Sequence, residues 1–147
     1  MGGDGCNKLQ VLEWSEENGF SWTVKAELPD PRHQAASVVH DGQIWLLGGF
    51  VDDADDPITS VLIHDTTGGR GWITGPALPR GIFDGRAISR DGEIFIIGTG
   101  FVHGENGAGY ELCAFVYRNA GWVQVDVPDA YDRDDIHCRE IHNLYLG

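Results

Sequence analysis

The chain has few basic residues and no long apolar run, and both shortages exclude classes of function. Lysine and arginine number 10 against 23 aspartates and glutamates, a formal net charge of −13 over 147 residues. Such a surface repels phosphate groups, so we expect neither nucleic acid nor an anionic membrane as a partner. A membrane-spanning helix needs about 18 consecutive apolar residues, and no such run is present. Residues 1–5 also lack the apolar segment of a signal peptide.

Cysteines are few, and no grouping of side chains is typical of catalysis. Cys6, Cys113 and Cys138 are odd in number and lack the spacing of a disulfide framework, which favours free thiols and a cytoplasmic location. No serine, cysteine or histidine constellation indicates nucleophilic catalysis. We therefore expect no enzyme activity, no catalytic residue and no cofactor.

Tryptophan recurs at a fixed interval, because Trp22, Trp72 and Trp122 are each 50 residues apart. The surrounding segments repeat at the same spacing, and they are Leu28-Pro29 with Leu78-Pro79, Asp41-Gly42 with Asp91-Gly92, and 44–48 with 94–98. A period of this size is typical of a repeat architecture. We expect the three tryptophans to pack between repeated units, with Trp14 and Trp45 in similar positions.

Each repeat has the pattern of a four-stranded antiparallel meander. An Asp-Gly pair between two apolar runs indicates a hairpin, because both turn residues then take positive φ. No segment shows sustained helical periodicity. In the first repeat, the predicted strands are 34–39, 44–47, 60–65 and 72–74, with a loop at 50–59. In the second, they are 86–89, 94–97, 111–117 and 122–127, with a loop at 101–109.

These motifs resemble kelch repeats. The matching positions are the Asp41-Gly42 turn, Gly48-Gly49, Asp65, Trp72, and Leu28-Pro29 followed by Arg32. The second repeat departs from the pattern, since Gly98-Thr99-Gly100 replaces the double glycine and Arg118 occupies the acidic position.

The resemblance implies an all-β chain, a partial kelch-type β-propeller of about two full blades and two half blades. We divide it into a disordered N-terminus at 1–7 and a partial propeller at 8–147. The repeats are about 30–79 and 80–128, and the half-units are 8–29 and 129–147. Because closed propellers have about four to eight blades, we expect part of a longer protein, a truncated product, or a unit that pairs with another copy. Unpaired strand edges also favour self-association.

Kelch propellers bind partner proteins through one loop face, so the resemblance implies a protein-interaction module for a protein or peptide. Two alternatives stay open. One is a fragment of a catalytic kelch propeller, of the copper-oxidase or sugar-epimerase type. The copper enzyme needs tyrosine and histidine ligands from several blades. No such arrangement is evident for the tyrosines of this chain, which are Tyr110, Tyr117, Tyr131 and Tyr145. The other alternative is a truncated, non-functional product. No region resembles the BTB domain that often accompanies kelch propellers.

Meander geometry predicts which segments share the binding end. The two loops and the two inter-repeat links, 29–34, 50–59, 79–85 and 101–109, lie at one end of the units; we call them the loop face. The candidate contacts there are Arg32, Asp52, Asp53, Asp55, Asp56, Arg80, Phe83, His103, Glu105 and Asn106.

Two groups of charged side chains on the loop face each have more than one interpretation. The aspartates at 52–56 could recognise a basic peptide, bind a cation or form a solvated loop, and their spacing does not fit an EF-hand. Arg32 and Arg80 could bind a carboxylate or join neighbouring blades. A third group, the segment from His137 to His142, contains metal-ligand residue types without a second pair at zinc spacing. We therefore predict no metal site.

Overall fold

The computed structural model describes residues 7–52, 54–67, 71–104 and 107–127. The predictions for the N-terminal segment 1–6, Asp53, Glu105, Asn106, the 137–142 segment and the half-unit 129–147 lie outside these residues. The described residues form twelve strands: β1 (Lys8–Ser15), β2 (Gly19–Glu27), β3 (Arg32–His33), β4 (Ala36–His40), β5 (Gln43–Leu47), β6 (Phe50–Val51), β7 (Val61–Asp65), β8 (Trp72–Thr74), β9 (Ile82–Arg90), β10 (Glu93–Gly104), β11 (Gly107–Arg118) and β12 (Gly121–Val125). No helix that could span a membrane is found in these ranges.

The strands form two four-stranded sheets and two two-stranded ribbons. Blade 1 has the order β4-β5-β7-β8, and blade 2 has the order β12-β11-β10-β9. Every strand pair is antiparallel, and in each blade the strands follow chain order. The ribbon β1–β2 precedes blade 1, and the ribbon β3–β6 lies at one end of it. The predicted all-β fold of four-stranded antiparallel sheets is confirmed for the described residues.

The Asp-Gly pairs make the predicted hairpin turns. Asp41 and Gly42 have φ of 47° and 73°, and Asp91 and Gly92 have φ of 53° and 79°. In the first turn His40 pairs with Gln43, which leaves two turn residues in the left-handed region. This geometry matches the twist of the flanking strands, so the turn fixes the register of β4 against β5.

The double glycine after β5 allows a close approach of backbones. Gly48 and Gly49 have φ of 63° and 87°. A Cβ on Gly48 would lie 2.5 Å from the carbonyl oxygen of Ile82, and one on Gly49 would lie 2.5 Å from that of His33. Only glycine therefore fits where blade 1 meets the links before and after it.

The prediction of a loop at 101–109 is wrong, because strands β10 and β11 continue through most of it. Phe101 pairs with Tyr110 and Val102 with Gly109, and the ladder extends to Gly104 and Gly107. Neither Gly98 nor Gly100 takes the left-handed φ of the double glycine in blade 1, so β10 does not turn away from its partner. Phe101, Val102 and Tyr110, which lie past Gly100, are residue types that favour strands, so β10 and β11 continue as an extended ribbon. Likewise, the predicted loop at 50–59 begins with strand β6, which pairs with β3.

The main apolar core lies between the two blades, and the inner strands β4 and β9 meet beside it. His40 Nδ1 lies 2.8 Å from Ser89 Oγ across these two strands. Blade 1 contributes Ala36, Trp45, Leu47, Val61 and Ile63, and blade 2 contributes Ile82, Ile94, Ile96, Cys113 and Phe115, with Leu78 from the link between them. Burial of this set is the largest favourable contribution to the docking of the two blades.

The tryptophans divide into two groups. Trp45 is buried in the main core, Trp122 packs at its edge, and Trp72 packs against a smaller cluster of Leu28, Leu46 and Leu62. Packing was also expected of Trp14 and Trp22, but their exposed fractions are 62% and 69%. Both lie on the β1–β2 ribbon, which is only two strands wide and has no blade against that side among the described residues.

Candidate partner-binding face

Backbone hydrogen bonds hold the loop face together. Gly49 N donates to the carbonyl oxygen of Ile82 at 2.8 Å, and Asp84 N donates to that of Gln34 at 3.0 Å. The backbone of Gly81 lies directly against the Pro57 carbonyl. Three of the four predicted segments, 29–34, 50–59 and 79–85, therefore meet at one end of blade 1.

Six aromatic side chains form a continuous row across this end, and we call them the aromatic row. The ring centroids of His33 and Phe50 are 5.5 Å apart, and those of Phe50 and Phe83 are 5.1 Å apart. The row continues from Phe83 to Tyr110 at 5.7 Å and from Tyr110 to Phe101 at 5.3 Å. It ends with His103, 4.9 Å from Phe101. The β3–β6 ribbon and blade 2 thus contribute to one surface.

The row is partly open to solvent along its length. Tyr110 is 64% exposed, and His103 is also exposed. His33, Phe50, Phe83 and Phe101 are half-buried. Beside the start of the row, a shallow groove is lined by His33, Gln34, Phe50, Val51, Asp52 and Ala54. The rings are therefore held in fixed positions by their neighbours while their edges remain accessible to a partner.

Acidic side chains border the aromatic row. Asp52, Asp55 and Asp56 are exposed, and Asp84 is exposed beside Phe83. Asp56 Oδ2 lies 3.7 Å from His103 Nε2, an ion pair when the histidine is protonated. The candidate residues Asp52, Asp55, Asp56, Phe83 and His103 are thus brought to one surface, and its rim is acidic.

Arg32 is 1% exposed and bonds within its own chain, so the structure corrects its assignment as a partner contact. Its guanidinium donates to Asp30 Oδ2 at 2.5 Å and to the carbonyl oxygens of Gly48 and Ser60 at 3.4 and 3.3 Å. These partners lie in the link before blade 1 and directly beside strands β5 and β7 of that blade, so the bonds fix the link to one blade and do not join neighbouring blades.

Arg80 is half-exposed and lies beside blade 2. Its guanidinium forms an ion pair with Glu111, and Nη1 lies 3.6 Å from Cys113 Sγ. Burial raises the pKa of Cys113, and the positive charge of Arg80 opposes that rise. Because Gly100 has no side chain, Arg80 can pass close to Cys113 at this point. Arg80 therefore contacts its own blade and retains some exposed surface at the edge of the loop face.

The described part of the chain holds no group of three or more His, Cys, Asp or Glu side chains placed to bind a metal. The segment from His137 to His142 lies outside it.

Comparison with known proteins supports the resemblance to kelch repeats. No family model matches the chain. The chain is 35% identical to alpha-scruin of Limulus polyphemus over 93 residues, which is 61% of the chain. It is 29% identical to Kelch repeat protein M-T8 of Myxoma virus (strain Lausanne) over 100 residues, which is 68% of the chain. A solved structure of YjhT superposes on 89% of the chain with a TM-score of 0.72 at 14% identity, a likeness of fold. These relatives and the shared fold confirm the resemblance of the chain to kelch-repeat proteins.

The chain spans only part of each relative. The matched regions cover 10% of alpha-scruin, 19% of M-T8 and 48% of the YjhT chain. The likeness is therefore that of a partial propeller.

Four members of the aromatic row were not identified from the sequence, and they are His33, Phe50, Phe101 and Tyr110. One signal was present, because phenylalanine directly follows both glycine segments, at Gly49-Phe50 and at Gly100-Phe101. The row itself depends on the β10–β11 extension, which carries Phe101 and Tyr110 to the loop face. A pattern that predicts a loop there cannot place them opposite each other.

Proposed function

We propose that this chain is a non-enzymatic protein-interaction module whose loop face binds a peptide or protein loop. The partner segment carries basic residues around an apolar or aromatic anchor. The observation that carries the proposal is the aromatic row, six rings in contact from His33 to His103, bordered by exposed aspartates. A cytoplasmic location, which agrees with the free thiol of Cys113, is part of the same proposal.

The aromatic row supplies what an interaction centre needs. Aromatic side chains contribute large contact areas with few rotatable bonds, and they dominate the energetics of many interfaces. Here each ring is restrained by the next, so a partner loses little further free energy in ordering them. Tyr110 is 64% exposed, so it is the member of the row best placed to contact an apolar anchor.

The acidic rim determines the charge of the partner. Asp52, Asp55, Asp56 and Asp84 are exposed around the row, and the whole chain carries a net charge of −13. Exposed charges of one sign accelerate the approach of an oppositely charged partner and repel others, with modest effect on affinity at high salt. The partner segment is therefore expected to be basic, and its binding is expected to weaken as salt increases.

Selection from a displayed peptide library on the immobilised chain tests the proposal. Enriched peptides should combine lysine or arginine with one or two apolar residues. Their affinity should fall about tenfold or more for Tyr110→Ala, since truncation of a central aromatic costs about 2 kcal/mol. Val39→Ala is the matched control, because Val39 is also a highly exposed apolar residue and lies beside the Asp41-Gly42 turn at the opposite end of blade 1.

A charge series completes the test. Asp52→Asn, Asp55→Asn and Asp56→Asn together should weaken capture and flatten its salt dependence. Asp41→Asn with Asp91→Asn is the control, because both side chains are highly exposed on the opposite turns. If the control variants abolish capture while Tyr110→Ala and the triple variant retain it, the partner binds the opposite end and the proposal is wrong.

A further inference from the structure

One side of the β1–β2 ribbon is almost wholly apolar and exposed. Leu12 pairs with Trp22, and Trp14 pairs with Phe20, so these side chains point to the same side as Val24. All five are exposed. We call Leu12, Trp14, Phe20, Trp22 and Val24 the ribbon face. A contiguous apolar patch of this kind on a small protein usually marks a contact surface.

The opposite side of the same ribbon is polar. Lys25 Nζ lies 3.1 Å from Glu13 Oε1, and Thr23 donates a hydrogen bond to Glu13 Oε2. The bonds to Lys25 and Thr23 hold the pKa of Glu13 below its ordinary value. The ribbon is therefore amphipathic, and both of its sides are open among the described residues, although only the polar side is suited to contact with water.

In blades 1 and 2, the side of the sheet that corresponds to the ribbon face is covered by other parts of the chain. Trp72 pairs with His64 and Trp122 pairs with Tyr117, as Trp22 pairs with Leu12. Trp122 packs on the core against blade 1 and donates to the carbonyl oxygen of Pro76 at 2.9 Å. Trp72 packs on Leu28, in the link that precedes blade 1. In both units the tryptophan side faces the preceding unit, so the ribbon face is built to contact the far side of another blade.

The far side of blade 2 has the matching residues. In blade 1, Trp45 lies between Val38 and Ile63 in the ladder, and this side packs on blade 2. The corresponding residue in blade 2 is Phe95, which pairs with Ile88 on one strand and with Val116 on the other, and Val116 pairs with Val123. We call Ile88, Phe95, Val116, Val123 and Val125 the far face of blade 2. Ile88, Val123 and Val125 are exposed.

We infer that the ribbon face of one chain packs on the far face of blade 2 of a second copy of the same chain. The contact occurs twice about a two-fold axis, and two copies close one ring. Length supports a second copy as the occupant, because 89% of this chain superposes on 48% of the YjhT chain, so two copies account for nearly one such fold. When two different surfaces of one molecule bind each other, the copies form an open filament unless the rotation between them closes a ring. If each copy forms half of a ring, two copies complete it.

Charge gives this contact a distinctive salt dependence. Each copy carries a net charge of −13, so two copies repel each other at low ionic strength while apolar burial attracts them. Added salt screens the repulsion and should strengthen the pairing. Capture of a basic peptide at the loop face should show the reverse, which separates the two surfaces experimentally.

Analytical ultracentrifugation of the full chain tests the inference. At about 100 μM, where contacts of micromolar affinity are saturated, the wild type should sediment at twice its mass of 16.1 kDa. Trp22→Lys and Val123→Glu should each give monomers at this concentration. Both side chains are exposed, so the fold of the single chain should be retained, which circular dichroism checks. Ser21→Lys and Gln124→Glu are the controls, because they make the same charge changes at exposed neighbouring positions that point to the other side.

A mixture of the two disruptive variants tests the geometry directly. Each mixed pair contains one wild-type contact, and its other contact places a lysine at position 22 against a glutamate at position 123. The mixture should therefore recover species of twice the chain mass, while each variant alone stays monomeric. A monomeric wild type, large open polymers, a dimer unaffected by Trp22→Lys, or a mixture that stays monomeric would each overturn the inference.

Discussion

The indole nitrogen of Trp122 donates a hydrogen bond to the carbonyl oxygen of Pro76 at 2.9 Å. Trp122 lies in β12, the outermost strand of blade 2, and Pro76 lies in the link that leaves blade 1. The bond therefore joins the outer edge of one blade to the exit of the other. Trp72 lies at the same point of the repeat, but its Nε1 is buried with no hydrogen-bond partner in the part of the chain that the structure describes.

The difference between these two tryptophans predicts a difference in stability. Trp122→Phe removes packing and a hydrogen bond, whereas Trp72→Phe removes similar packing and no bond. The loss in free energy of unfolding should be larger for Trp122→Phe by about 1 kcal/mol, the net value of one such bond. Urea denaturation of both variants measures this difference. Equal losses would mean that the Pro76 bond contributes nothing to blade docking.

Gly81 is predicted to be the glycine least tolerant of substitution on the loop face. A Cβ at this position would overlap the carbonyl group of Pro57. That group belongs to the backbone, so it cannot rotate away as a side chain could. Gly81→Ala should therefore lower the free energy of unfolding by about 1–3 kcal/mol. Gly121→Ala is the control, because a Cβ there meets nothing within 4 Å. Thermal denaturation that ranks the two variants equally would contradict the close approach of the 79–85 link to the 50–59 segment.

Arg32 is predicted to act on stability and not on binding specificity. Arg32→Ala leaves the carbonyl oxygens of Gly48 and Ser60 without this donor and Asp30 without its cation, and it should cost about 2–4 kcal/mol. Arg80→Ala should cost about 1 kcal/mol or less, because its pair with Glu111 is half-exposed. Chemical denaturation of both variants provides the comparison. If the Arg32→Ala variant has wild-type stability but fails to capture peptide, Arg32 is a partner contact and this prediction is wrong.

The Cys113 thiol gives a prediction about pH. Burial raises its pKa in the folded chain, with Arg80 partly opposing the rise. A raised folded-state pKa stabilises the fold while the thiol is protonated in both states, and that stability is lost as pH rises above the ordinary thiol range. Between about pH 7 and pH 10, the wild type should therefore lose more stability than Cys113→Ala. Parallel pH profiles of the two proteins would show that this thiol is not desolvated.

Local chemistry made much of the blade predictable from the sequence. The Asp41-Gly42 and Asp91-Gly92 turns fix their hairpins through φ alone, so the strands around them could be placed to within a few residues. Gly48-Gly49 likewise ends β5 because both residues take left-handed φ. The repeat spacing then indicates that a second blade is present. These features depend on neighbours in the chain, and a single sequence displays them.

The binding end was only partly predictable, because its geometry depends on contacts between distant segments. Phe101 and Tyr110 meet only because β10 continues past Gly98 and Gly100, where the turn of the first repeat is absent. The burial of Arg32 depends on its contacts with Asp30, Gly48 and Ser60. The spacing of these residues in the sequence does not indicate that they meet. The sequence could therefore indicate which segments share the loop face, and the structure was needed to show which side chains remain available.

Amide hydrogen exchange of the chain with and without a peptide selected from the library tests the central claim most directly. The account predicts that bound peptide slows exchange in the segments 29–34, 50–59, 79–85 and 101–109. Exchange at the Asp41-Gly42 and Asp91-Gly92 turns should be unchanged. Protection confined to those two turns, with none on the loop face, would contradict the assignment of the aromatic row and its acidic rim as the partner-binding surface.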